Sequence, residues 1–168
     1  MHNNQSENKS LEDEVKRQRE FFHTILDSLA EGVLVIDKDM KIVMANRGYL
    51  NQEHLRETDA VGRHCYEVSH GFEEPCWLAE EYQRCECPVN ETFETGEPKS
   101  AVHINKDKDG NKHDVLVNSY PIKDSRGNVI QVVETVNDIT EKTMADNELK
   151  RKIKELEVKI ENSKEIIK

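Results

Sequence analysis

Thiols and imidazoles are gathered into one stretch of this chain. The four cysteines, Cys65, Cys76, Cys85 and Cys87, all lie between Arg63 and Pro88, with His70 among them and His64 beside the first. Thiolates bind soft or borderline ions, and four of them suffice for a tetrahedral zinc site or for anchoring an iron–sulfur cluster. The spacing Cys-x10-Cys-x8-Cys-x-Cys is not the paired Cys-x2-Cys of ribbon-type zinc sites, so the number of ligands argues for a metal more strongly than their order does. The sets open on the residues alone are Cys65, Cys76 and Cys87 completed by Cys85, by His70 or by His103. Two other roles use the same atoms. One is a metal-free pair of thiols that closes to a disulfide; the other, for each cysteine singly, is that of a small buried apolar residue.

Composition narrows the surroundings of this patch. With 168 residues the chain is one domain with helix to spare, and 35% charged against 35% hydrophobic residues is too polar for a wholly buried fold. The polar surplus lies at the ends. A net charge of -10 repels phosphate backbones, so nucleic acid is not expected as a direct partner. Residues 1–10 are rich in Asn and Gln with no apolar stretch, which reads as a disordered tail rather than a secretory signal or an anchor. Nothing approaches the ~20 apolar residues that span a bilayer, so no membrane is expected. The expected location is cytoplasmic, where resting thiols are reduced and clustered cysteines point to metal or redox chemistry.

The elements that must hold the patch follow from periodicity. Leu11, Val15, Phe22, Leu26 and Leu29 give an amphipathic N-terminal helix over 11–29. Val33–Asp37 and Lys41–Ala45, joined at Lys38-Asp39, read as a hairpin. After the cysteines, Pro88 to Gly96 has proline in its first turn and glycine at its end, the asymmetry of a short helix. Three strands follow, Ser100–Asn105, His113–Ile122 and Val129–Val136, separated by Asp109-Gly110 and Gly127-Asn128 turns. The domain proper therefore covers 30–140. Beyond it, residues 141–168 form a helix in which Leu149, Ile153, Leu156, Ile160 and Ile167 keep a and d spacing, with Ser163 at the remaining seam position. That seam, set among Lys and Glu, predicts a coiled coil and a homodimer through the flanking helices. Its ending in mid-pattern favours a piece cut from a longer receptor over a complete adaptor.

This order, with Asn46 after the second strand and Asp138-Ile139-Thr140 after the last, resembles a PAS domain from about Phe21 to Lys142. Leu29-Ala30-Glu31-Gly32-Val33, Ala60-Val61-Gly62-Arg63 and Tyr120-Pro121-Ile122 are strings of the same family type. The resemblance implies an α+β fold, a five-stranded antiparallel sheet with short helices on one face, flanked by the N-terminal amphipathic helix and the C-terminal coiled-coil helix. It also implies a sensory binding module rather than an enzyme, signalling to a downstream kinase or regulator. The central segment is similar to a subset with Cys-Tyr-Glu-Val, a following His, a Pro-Cys and a Cys-Pro. Cys65, His70, Cys76 and Cys87 match it, and Cys85 stands where the subset often has histidine.

The fold leaves the ligand open, because it hosts haem, flavin, metals and small acids alike. Zinc or an iron–sulfur cluster on Cys65, Cys76, Cys85 and Cys87 is the expectation. Haem on His70 or His103 has no specific support, and the Asn-Cys-Arg string of the flavin-adduct type is missing. No nucleophile and base stand at a recognisable catalytic spacing.

Overall fold

The computed structural model describes residues 3–79 and 86–166. Its elements, in order, are α1 (Asn3–Asp27), β1 (Gly32–Asp37), β2 (Ile42–Ala45), α2 (Arg47–Gln52), α3 (Glu57–Ala60), α4 (Cys65–His70), α5 (Pro88–Thr95), β3 (Lys99–Lys106), β4 (Lys112–Lys123), β5 (Val129–Asp138) and α6 (Thr140–Ile166). The strands form one antiparallel sheet in the order β2-β1-β5-β4-β3, so the first and last strands meet at its centre. The two turns expected of the β3–β5 meander are built by aspartates. Asp107 Oδ1 accepts from Asn111 N, and Asp124 Oδ1 accepts from Arg126 N and Asn128 N, so each loop closes on its own side chain.

Alternation along the strands sends Leu34, Ile36, Val115, Val117, Val132 and Val136 to one face, all buried. The short helices cover that face, α5 across β3, β4 and β5, and α4 against β3. Each fully buried aliphatic side chain contributes on the order of 1.5–3 kcal/mol relative to exposure.

One side chain fastens the entry to the domain. Asn46 caps α2; its Oδ1 accepts from Val33 N (2.7 Å) and Tyr49 N (2.9 Å), and its Nδ2 donates to Leu26 O (2.8 Å) and Glu31 O (3.0 Å). The amide thus uses its whole hydrogen-bonding capacity to join α1, β1 and α2. Gly48 lets the chain pass at this crossing, because a Cβ there would lie 2.5 Å from Glu31 O and 2.9 Å from the carbonyls of Ala30 and Leu29. At the far side, Gly96 ends α5 at φ 70°, the left-handed C-cap that its sequence position predicted.

α1 starts at Asn3, so residues 3–10 extend the helix instead of forming the expected tail. Neither proline nor glycine interrupts that stretch, and polar residues alone do not stop a helix. Among the described residues, no helix is long and apolar enough to cross a membrane.

Candidate functional site

Three of the four cysteines meet in one place. Cys65 opens α4, where it shares a helix face with Ser69, four residues on. Cys76 stands in a turn held by Leu78 N and Ala79 N donating to Pro75 O. Cys87 is the N-cap residue of α5, immediately before the proline that starts it. Together with His70 from α4 and His103 from β3, these residues line a cavity of about 20 Å³. Val117 and Glu134 close it from the sheet side. Such a volume admits a water or a single ion and is far below that of a ring cofactor's pocket. Cys85 lies outside the described residues.

The three thiols differ in character. The neighbouring Cys76 thiol, with the Asn90 and Val89 amides at the start of α5, lowers Cys87 against the cost of burial. Cys76 is correspondingly pushed up, by Cys87 first and by burial second. Cys65 is also raised, chiefly by burial and then by the neighbouring Glu134 and Cys87. Cys87 is therefore the most acidic thiol of the three.

Both histidines are held neutral and in defined tautomers. Burial, then His103, lowers His70 to about 4, and burial lowers His103 in the same direction. His70 Nδ1 lies 3.4 Å from Ile104 O and His103 Nε2 lies 3.2 Å from Glu86 O. A carbonyl only accepts, so these nitrogens carry the protons, and the lone pairs fall on His70 Nε2 and His103 Nδ1. An imidazole anchored through one nitrogen to a carbonyl is how ligating histidines are oriented. The two ring centroids are 5.5 Å apart.

Glu134 was not singled out in the sequence. It is buried on β5, raised to about 8 by burial first and by Cys87 and Glu53 next, and so carries its proton at neutral pH. Its signal was parity, since it occupies an inward position between Val132 and Val136. His54 and His113 both have partners. His54 Nδ1 is 3.1 Å from Asp109 Oδ2, and His113 Nε2 is 3.2 Å from Glu53 Oε1.

Among the described residues, the one set with three ligand-type atoms all within 4.8 Å of one another is His54, Asp107 and Asp109. It is an ion-paired cluster at the surface that ties the β3–β4 hairpin to the end of α2, and exposed acidic groups gather in this way without an ion. Cys65, Cys76 and Cys87 share their cavity without being drawn that close together.

A model described as the PAS fold matches residues 26–143. The chain belongs to the PAS fold family. Solved structures agree with the assignment. An RNA-binding light-oxygen-voltage receptor superposes with a TM-score of 0.65 at 18% identity, over 83% of this chain and 37% of the receptor. A PAS domain of a protein from Colwellia psychrerythraea gives 0.59 at 16% identity, over 76% of this chain and 98% of that domain. The PAS domain of BvgS from Bordetella pertussis gives 0.54 at 20% identity, over 83% and 98% respectively. At these identities the likeness carries the fold and not the ligand. No curated protein matches the chain. The five-stranded sheet and the helix at either end are those implied by the sequence resemblance, and the family match does not address the cysteine pattern.

Proposed function

We propose that this PAS domain is a sensory module whose input is a soft metal ion of the zinc class, taken by Cys65, Cys76 and Cys87 with His70 or His103. The observation that carries this reading is the convergence of three thiols and two tautomer-fixed imidazoles, from separate segments, on a cavity of about 20 Å³. The donor set fits such an ion, since thiolate and neutral imidazole are its preferred ligands and Cys87 is the most acidic of the three thiols. The volume argues against haem and flavin, and it is too small for a cluster without rearrangement. The bound ion would supply a fixed positive centre that crosslinks α4, the turn at Cys76 and the start of α5.

Binding is also a movement. Cys65, Cys76 and Cys87 are not drawn together as one ligand set, so holding the ion would bring the turn at Cys76 and the N-terminus of α5 toward α4. α5 packs on β3, β4 and β5, and α6 leaves directly from β5, so the movement has a route to the exit helix. The exposed apolar residues of α1 and α6 support a homodimer whose pairing relays the change to a downstream kinase or regulator, in a reducing, cytoplasmic setting. The module binds and signals; it does not catalyse.

Elemental analysis of anaerobically purified protein tests the reading. One equivalent of zinc-class metal per chain is expected, falling at least tenfold in Cys65→Ser, Cys76→Ser and Cys87→Ser. Metal-free wild-type protein that takes up none on titration overturns it. The mutual influence of the neighbouring Cys76 and Cys87 thiols favours a second reading, a disulfide switch. A loss of two hydrogens mapping to that pair, in metal-free protein exposed to oxidant, identifies it.

A further inference from the structure

A second buried cluster, separate from the thiols, stands where α2 meets the β3–β4 hairpin. Glu53 is completely buried at the C-cap of α2, with its backbone carbonyl accepting from Lys108 N at 3.1 Å. Its Oε1 accepts from Asn105 Nδ2 at 2.9 Å and from His113 Nε2 at 3.2 Å. The other half of the cluster does not balance. Glu53 Oε2 and Asn105 Oδ1 are both buried and both without a hydrogen-bond partner. Two acceptors with no donor leave the desolvation of each uncompensated. Turning the Asn105 amide over does not help, because it would set Oδ1 against Glu53 Oε1. A single proton removes the deficit, since a carboxylic acid donates from one oxygen while accepting at the other.

We infer that Glu53 is kept as the neutral acid, with Oε2–H donating to Asn105 Oδ1 in a closed acid–amide pair, and that this pair is a proton-operated latch joining α2 to the hairpin that carries α6. The ionisable groups around it are consistent. Asp107, in the turn after β3, opposes a negative charge at this point; Glu53 in turn raises Glu134 on β5, and Tyr49, one turn earlier on α2, is itself held protonated by burial and by Glu53. His113 on β4 is the one neighbour among these that would favour ionisation. Burial is the largest influence and raises Glu53, against Asn105 and His113.

The latch lies one residue from the output. Asp114, next to His113, donates its N–H to Thr140 Oγ1 at 3.0 Å and accepts from Ile139 N at 2.8 Å, at the start of α6. Loss of the proton would put a buried charge on α2 against Asp107 and loosen the hairpin on which α6 is mounted. The sign follows from linkage. An acid raised on folding contributes its full stability below its unfolded value, and that contribution disappears as pH rises through the folded value.

Carbon-13 carboxyl NMR on the whole chain is the test, with Glu53 assigned by through-bond correlation in the wild type so that no variant needs to fold. The expected result is a Glu53 carboxyl still protonated at a pH where the chain's exposed carboxylates have ionised. The amide signals of Asp114 and Thr140 should shift with the same midpoint, and Glu53→Gln should abolish that shift. Glu53 titrating together with the exposed carboxylates, or ionised beside a protonated His113, overturns the assignment. A raised midpoint that leaves Asp114 and Thr140 unmoved overturns the latch.

Discussion

The sheet domain and the two long helices beside it treat apolar side chains in opposite ways. Leu34, Ile36, Val132 and Val136 are sealed between the sheet and α2, α4 and α5. Leu149 is 58% exposed and Leu156 is 57% exposed on α6, and Phe21 and Phe22 on α1 are 63% and 62% exposed. The domain therefore completes its own core, whereas α1 and α6 carry apolar seams that stay in water in a single chain. Stability belongs to the first region and, in the proposed function, association belongs to the second, so substitutions should separate the two.

The largest expected effect falls within the domain. Asn46→Ala removes the clamp on α1, β1 and α2 and strands two buried amide donors, so urea unfolding should report a loss of about 3 kcal/mol or more. A loss below about 1 kcal/mol would mean that the junction is held elsewhere. Next comes Glu134, whose value near 8 lies above the ordinary carboxyl range. Its stabilising contribution is complete at low pH and lost as pH rises through about 8. Wild-type stability should then fall between the ordinary carboxyl range and about 8, with a slope approaching about 1.4 kcal/mol per pH unit, and level off above it, and Glu134→Gln should flatten the curve. An unchanged slope in Glu134→Gln would place the titration on another group.

The smallest effect on domain stability is expected on α6. Leu149→Ser combined with Leu156→Ser should leave unfolding of the domain within about 0.5 kcal/mol of wild type. The same pair should convert a dimer to a monomer in sedimentation equilibrium. A doubly substituted chain that sediments like wild type, whatever that state is, would remove the seam from the account.

How much of this was legible depends on how local the determinants are. The hairpins could be read because Asp107 and Asp124 build their turns within five residues, and the strands because inward and outward residues alternate. α5 announced itself through Pro88 and Gly96. The cysteines were conspicuous by type, but their convergence needed the packing of α4 and α5 on the sheet, which no spacing rule supplies. Glu53, Asn105 and His113 went unread for the same reason, since their partners lie more than fifty positions away in sequence. Residues 3–10 were misjudged because low hydrophobicity was taken for disorder, although helix propagation does not require an apolar face.

The central claim is that three cysteines and a histidine form one ion-binding centre, and cobalt(II) titration of the anaerobic apo-protein tests it most directly. The account predicts one equivalent of cobalt bound, with strong thiolate-to-metal absorption in the near ultraviolet and the visible bands of a tetrahedral ion, both lost in Cys87→Ser. A spectrum of hydrated cobalt throughout the titration, or the same spectrum with and without Cys87, would contradict it.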